Sequence, residues 1–315
     1  MSVFEGEILL ATDGSPEAER AAGMAVTLSK SLGAELHVTY VESMPDPLAW
    51  PESRVMVPEI REDIRERAEA EARTKLEEEA EKIRGMGGEI AGVHAGTGRP
   101  DAEIVRAAEE LGAGLVILGG RGLGPVRRAV MGSVSGSVVH HAHGSVLIVR
   151  DGAGEDGDLP AGPILLAVDG SGQAKVATEA ALEISNATGS GLHVVFVMPT
   201  ERQLYGHHFY SQELKQSIRD RAEDDVEAFL AERRGWIEDH GGKVEDTHAA
   251  VGRPDAEIVK LAEELQAGLI VVGSRGLGGV RRALMGSVSD SVVRHAHSPV
   301  LVARGEEGSE TDEAQ

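Results

Sequence analysis

Residues 115–135 read LVILGGRGLGPVRRAVMGSVS, and residues 269–289 read LIVVGSRGLGGVRRALMGSVS. In each, an apolar run closes on a glycine, a loop rich in glycine and arginine follows, and Gly-Ser then opens a further apolar segment. A short aliphatic run bounded by glycine reads as a strand buried on both faces, and Gly-Ser before an apolar run reads as a helix start. The pattern is strand, loop, helix, written twice in one chain. In an open α/β sheet it places the loop outside the carboxyl end of a strand, where ligands bind.

The duplication extends outward from these stretches. Gly98-Arg99-Pro100-Asp101-Ala102-Glu103-Ile104-Val105 returns unchanged 154 residues later as Gly252-Arg253-Pro254-Asp255-Ala256-Glu257-Ile258-Val259. Ile8-Leu9-Leu10-Ala11-Thr12-Asp13-Gly14-Ser15 corresponds to Ile164-Leu165-Leu166-Ala167-Val168-Asp169-Gly170-Ser171, at an offset of 156. A period this long far exceeds the roughly 20–50 residues of solenoid repeats, so a whole domain has been copied. The expected organisation is a first domain over 1–150, a Gly-, Pro- and acid-rich linker over 151–163, a second domain over 164–304 and a disordered acidic tail over 305–315.

Within the first copy, Ile8 to Ala11, Leu36 to Val41, Glu89 to His94, Leu115 to Gly119 and Val146 to Val149 are expected strands. Between them, Ile60, Ile64, Ala68, Ala72, Leu76 and Ala80 form one apolar stripe at helical spacing; the counterpart uses Leu214, Ile218, Ala222, Val226, Phe229 and Leu230. Strands of nearly continuous apolar character alternating with helices predict an α/β fold: two tandem doubly wound domains, each a five-stranded parallel sheet with helices on both faces.

Composition narrows the function. Of 315 residues 41% are hydrophobic and 27% charged, a globular balance, and no apolar run approaches the roughly 18 residues of a membrane span. A formal charge of −22 repels nucleic acid, so neither nucleic acid nor membrane is an expected partner. The 0 cysteines exclude a disulfide framework and a thiolate metal site, and the N-terminus has no signal-like segment, which reads as cytoplasmic.

The chemistry is expected at the loops. Gly119, Gly122 and Gly132 in the first copy, and Gly273, Gly276 and Gly286 in the second, are read as letting the backbone adopt positive φ and approach a ligand closely. At the following helix starts, the N–H groups and hydroxyls of Ser133, Val134 and Ser135, and of Ser287, Val288 and Ser289, would hold phosphate. Arg121, Arg127 and Arg128, and likewise Arg275, Arg281 and Arg282, lie in or beside the loops. One cation at 4 Å from a phosphate is worth about 4 kcal/mol at an effective dielectric near 20, enough to outweigh distant, screened negative charge. Ala11-Thr12-Asp13 and Ala167-Val168-Asp169 end the first strands. There the carboxylate either receives ribose hydroxyls, helps hold a metal on the phosphates, or caps the turn. Val41 and Val197 close the second strands, where backbone groups can read an adenine edge.

Other motifs are absent or bland. No G-x-x-x-x-G-K-[ST] occurs, and no G-x-G-x-x-G follows a first strand. His141-Ala142-His143 and His295-Ala296-His297 read as helix-end histidines, and His207-His208 as a surface loop. His94 and His248 are placed at the ends of the third strands, with no acidic partner evident.

Together these residues resemble the universal stress protein family in its tandem two-domain form. The carrying motif is the family's G-2x-G-9x-G-[ST], present as Gly119, Gly122, Gly132, Ser133 and again as Gly273, Gly276, Gly286, Ser287. The resemblance implies the ATP-binding branch, with Asp13 and Asp169 at the first-loop position and Val41 and Val197 facing adenine; Mg²⁺ is expected with the ATP, with Asp13 and Asp169 as its carboxylates. It also implies pairing of domains through their last strands, Val146 to Val149 and Val300 to Ala303, which would otherwise be exposed apolar edges. A homodimer of the tandem chain and an unidentified protein partner are compatible with it. The expected function is a nucleotide-dependent stress-response module with two ATP sites. Two alternatives remain open at this stage: a slow ATP-hydrolysing or ATP-activating enzyme of the adenine nucleotide α-hydrolase-like group, and a dimerisation module without nucleotide. No general base is evident beside the loops, so hydrolysis is expected to be slow, with autophosphorylation of a loop serine as a side activity.

Overall fold

The structure, a computed structural model, describes residues 3–4, 6–44, 58–122, 131–150, 162–198, 200, 212–276 and 285–305, without the side chains of 58–61, 212–220 and 222. Most of the linker, the tail beyond Gly305, His207-His208, and Arg127, Arg128, Arg281 and Arg282 lie outside the described residues.

In the first half the order is β1 (Ile8–Thr12), α1 (Pro16–Leu32), β2 (Leu36–Ser43), α2 (Pro58–Gly85), β3 (Ile90–Gly98), α3 (Pro100–Leu111), β4 (Leu115–Gly119), α4 (Ser133–His141) and β5 (Ser145–Val149). The second half repeats it as β6 (Ile164–Val168), α5 (Gly172–Thr188), β7 (Leu192–Met198), α6 (Gln212–Asp239), β8 (Val244–Val251), α7 (Pro254–Glu264), β9 (Leu269–Gly273), α8 (Ser287–His295) and β10 (Val300–Ala303). Each half is the expected parallel doubly wound unit. The two join into one 10-stranded sheet, ordered β3-β2-β1-β4-β5-β10-β9-β6-β7-β8.

Successive residues of the central strands point to opposite faces, which is why their runs are apolar throughout. Ile8 and Leu10 pack with Ala21, Met24, Leu28, Leu76 and Ile83 under α1 and α2, whereas Leu9 and Val116 pack with Ile104, Val138 and Val139 under α3 and α4. Both layers run on without a break into the second half, through Leu147 and Leu301 on one face and Ile148 and Val300 on the other. Cutting a fully buried Ile117 or Leu147 to alanine would cost about 2–5 kcal/mol.

The seam is the antiparallel pair β5 and β10, centred on Leu147 opposite Leu301. Arginines that end these strands reach across it. Arg304 donates to the carbonyl oxygens of Val139 and Ala142 (2.7 Å to the latter) at the end of α4, and Arg150 donates to that of Val293 near the end of α8. Each half thereby satisfies the orphan carbonyls of a helix in the other. Burial, with Arg275 nearby adding repulsion, pushes the Arg304 guanidinium down to about 10.

Two expectations need correction. Of the α2 stripe, Ala72, Leu76 and Ala80 are buried, as is Ile83 beyond it, but Ile64 is 43% exposed, because the first turns of this 28-residue helix overhang the sheet. The third strands run on to Gly98 and Val251, so His94 and His248 lie inside them rather than at their ends. These are edge strands with half-exposed faces, and the glycine-containing second half of Ile90–Gly98 hides the strand signal in the first copy.

Candidate nucleotide site at the carboxyl edge of the sheet

The site forms where β1 and β4 end side by side. Ser15 caps α1 by accepting from the Ala18 N–H (3.2 Å), and the Ser15 N–H donates to Asp13 Oδ1 (3.0 Å). Asp169 Oδ1 likewise accepts from the N–H (3.0 Å) and hydroxyl (2.6 Å) of Ser171. One oxygen of each aspartate therefore holds the turn. The other lies against the second glycine of the loop motif: a Cβ on Gly122 would stand 2.3 Å from Asp13 Oδ2, and one on Gly276 2.3 Å from Asp169 Oδ2.

The first motif glycine has a packing role. A Cβ on Gly273 would meet the Gln173 carbonyl oxygen at 2.7 Å, and one on Gly119 would meet Glu17 Cβ at 3.0 Å. None of the six motif glycines has positive φ, so the sequence reading is corrected on that point: the first and second of each loop are needed for close approach of chain to chain, not for a left-handed backbone. The loop is closed at its base by Gly132 N–H to Gly120 O (2.8 Å) and Gly286 N–H to Ser274 O (2.7 Å). The hydroxyls of Ser135 and Ser289 donate to the carbonyls of Gly119 (2.8 Å) and Gly273 (2.6 Å), so those protons serve the loop itself.

Gly132 and Gly286 are the N-caps of α4 and α8, with no side-chain cap. The first amides of each helix, those of Ser133, Val134 and Ser135 and of Ser287, Val288 and Ser289, precede its first intrahelical donors, Gly136 and Asp290. Uncapped amides at the positive end of a helix dipole form an anion seat. The helices are steadied from α3 and α7: Ser137 donates to Asp101 and Ser291 to Asp255, each at 2.7 Å. Burial alone would raise these two carboxyls, but the serine bonds and Arg99 or Arg253 hold them below the usual value.

In the second half these elements enclose a cavity of about 390 Å³. Ala167, Asp169, Val197, Gly273, Arg275, Gly276, Gly286, Ser287, Val288 and Ser289 all line it, which is every described residue that sequence reasoning assigned there. Pro254 and Ile258 of α7 complete a wall that was missed, although the unchanged Gly-Arg-Pro-Asp octapeptide was its signal. The last pairings of β1 and β6 are Thr12 with Tyr40 and Val168 with Phe196. Val41 and Val197 thus stand just past the neighbouring strand, where one backbone edge faces the site.

The first half brings Ala11, Asp13, Val41, Gly119, Arg121, Gly122, Gly132, Ser133, Val134 and Ser135 to the matching edge, with one difference that the sequence did not announce. Glu17, only 6% exposed, takes the Arg121 side chain (Nε to Oε1, 2.7 Å) and the Arg121 backbone N–H. Its counterpart Gln173 binds the Ser274 hydroxyl (3.0 Å) and the Gly305 carbonyl instead, and Arg275, with no carboxylate partner among the described residues, lines the cavity. The helix-end reading of the second histidine pair of motifs holds: His141 and His295 are the last residues of α4 and α8, bonded through Nδ1 to the carbonyls of Ser137 and Ser291. No helix among the described residues is long and apolar enough to cross a membrane.

A family model described as the Universal stress protein family matches residues 6–150 and again 161–304. A universal stress protein of Mycolicibacterium smegmatis is 31% identical over 310 residues, covering 96% of this chain and 98% of the relative. Universal stress protein Rv1996 of Mycobacterium tuberculosis is 29% identical, covering 94% of each. Among solved structures, a universal stress protein from Archaeoglobus fulgidus superposes with a TM-score of 0.66 at 25% identity, covering 96% of this chain and 97% of the other. With its tandem sheet, duplicated glycine loops and both halves matched, this chain belongs to the universal stress protein family.

Proposed function

We propose that this chain is a stress-response module that binds ATP with Mg²⁺ at the carboxyl edge of its sheet, one site per half. The observation that carries the reading is the second-half cavity, which gathers the glycine loop, the uncapped helix start, Asp169, Arg275 and Val197 around one space. Its volume falls in the range of roughly 300–1,000 Å³ common to small-molecule sites. In this reading the amides of Ser287 to Ser289 and Arg275 take phosphates, and the edge of β7 at Val197 takes adenine. Mg²⁺ is commonly held by one or two carboxylates together with phosphates and water. Asp169, with one oxygen committed to its turn, fits that role, and an ion held there would supply charge neutralisation beside the phosphates.

The same reading makes the halves unequal. Arg121 is turned onto a buried carboxylate, so the first half presents a neutral pair where the second presents a cation. The second half is then the tighter site. Equilibrium dialysis of labelled ATP with Mg²⁺ against the full chain tests this. Two classes of site per chain are expected; no retained ATP would overturn the reading, and a product assay on the same samples separates a binder from an enzyme.

A further inference from the structure

At the opposite, amino-terminal edge of the sheet the first half carries a second cluster, unrelated to the nucleotide edge. Glu7 precedes β1, Glu35 precedes β2, and His37 is the second residue of β2. One ligand atom from each lies within 4.8 Å of the others. His37 Nε2 is 3.2 Å from Glu7 Oε2 and 4.0 Å from Glu35 Oε2.

His37 is 9% exposed. Its Nε2 and the neighbouring Glu7 Oε2 are both buried, yet among the described residues neither forms a hydrogen bond, despite their separation of 3.2 Å. The buried ring nitrogen and carboxylate oxygen stand at contact distance without a hydrogen bond, and a cation seated beside both, within reach of Glu35, would satisfy them. The other side of the ring is fixed: His37 Nδ1 bonds His94 Nε2 at 2.9 Å. Gly92 makes room for this, since a Cβ there would stand 2.5 Å from Nδ1. A His whose Nδ1–H is given to a neighbour presents Nε2 as a lone pair, the arrangement that orients metal-binding imidazoles.

We propose that Glu7, Glu35 and His37 bind a divalent transition metal ion of the Zn²⁺ type. Zn²⁺ takes nitrogen and oxygen at about 2.0–2.2 Å in a tetrahedron, which puts ligand atoms about 3.3–3.5 Å apart. The 3.2 Å pair is close to that spacing, and Glu35, whose side chain is 72% exposed, can close the remainder by rotating. Three protein ligands leave a fourth position for water. The site ties the entries of β1 and β2 together.

The second half supplies an internal control. It repeats the histidine pair, His193 Nδ1 to His248 Nε2 at 2.9 Å, but the positions of Glu7 and Glu35 are Pro163 and Gly191. A single carboxylate, Glu245, stands 3.4 Å from His193 Nε2, and Lys243 holds its other oxygen at 3.0 Å. Two ligands, one already paired, make no site.

The test is titration of the metal-free full chain with Zn²⁺ by calorimetry, in competition with a chromophoric chelator. One ion per chain is expected. Glu35→Gln, at a side chain too exposed to affect folding, should weaken binding about tenfold or more, given that even outer-shell partners of metal ligands are worth about 10–100-fold. His37→Gln should abolish it, and His193→Gln should leave it unchanged. No Zn²⁺ bound by the parent chain, an unchanged affinity in Glu35→Gln, or an equal loss in His193→Gln would each overturn the proposal.

Discussion

The two halves share the glycine spacing of their loops and differ in the layer beneath. In the first, Glu17 packs under Gly120 and holds Arg121; in the second, Gln173 packs under Ser274 and Arg275 lines the cavity. The exchange is nearly isosteric, and α1 and α5 start with the same serine cap. The lesson is that the motif sets the shape of the backbone, while a helix position outside it sets the charge that shape presents.

The strongest way to break the comparison is to remove one half at a time. At Gly286 a Cβ meets nothing closer than 3.4 Å, so the loop tolerates it, but the branches of a valine would crowd the helix start. Gly286→Val should abolish the tighter class of ATP sites, a loss of about 100-fold or more, equivalent to about 2.7 kcal/mol. Gly132→Val should remove only the weaker class. Dialysis isotherms that change alike in both variants would refute the inequality.

A finer cut exchanges the buried layer. Arg275→Ala should cost the second half about tenfold, consistent with about 1.5 kcal/mol for a charged hydrogen bond, whereas Arg121→Ala should change the first half little. Glu17→Gln should release Arg121 and tighten the first half by about three- to tenfold. Binding isotherms in which Glu17→Gln weakens that half would show the ion pair to be part of the seat.

The smallest effect is shared by both halves. Ser137→Ala or Ser291→Ala should each lower unfolding free energy by about 1 kcal/mol at pH 7, read from urea denaturation. Asp101 and Asp255 have carboxyl pKa values below those of the unfolded chain, so their stabilisation is fully present above about pH 4 and is lost as the pH falls through the folded value. The gap between each variant and the parent should therefore shrink below about pH 4, and a gap that widens there would be the wrong sign.

Much of this was legible because it is local. Strand, loop and helix start are contiguous at 115–135 and 269–289, so the residues lining the loop end of the second-half cavity could be named from spacing alone. What stayed hidden depends on register or on a neighbouring element. Glu17 in a first turn reads as ordinary compensation of a helix dipole, and nothing in the sequence says that it meets Arg121, 104 residues away. The histidine partners of His94 and His248, His37 and His193, stayed unseen because they lie across a strand pair whose register shifts by one residue at its start. The overhanging end of α2 kept its apolar spacing without a surface to cover, which periodicity cannot reveal.

The antiparallel seam at Leu147 and Leu301 has a final implication. Separate single-domain chains that pair in this way find each other by mass action, and two identical chains cannot keep different faces. Here covalent continuity makes the pairing independent of dilution and always joins unlike halves. Each half is thereby released from self-complementarity, so that one can drift in sequence without forfeiting its mate.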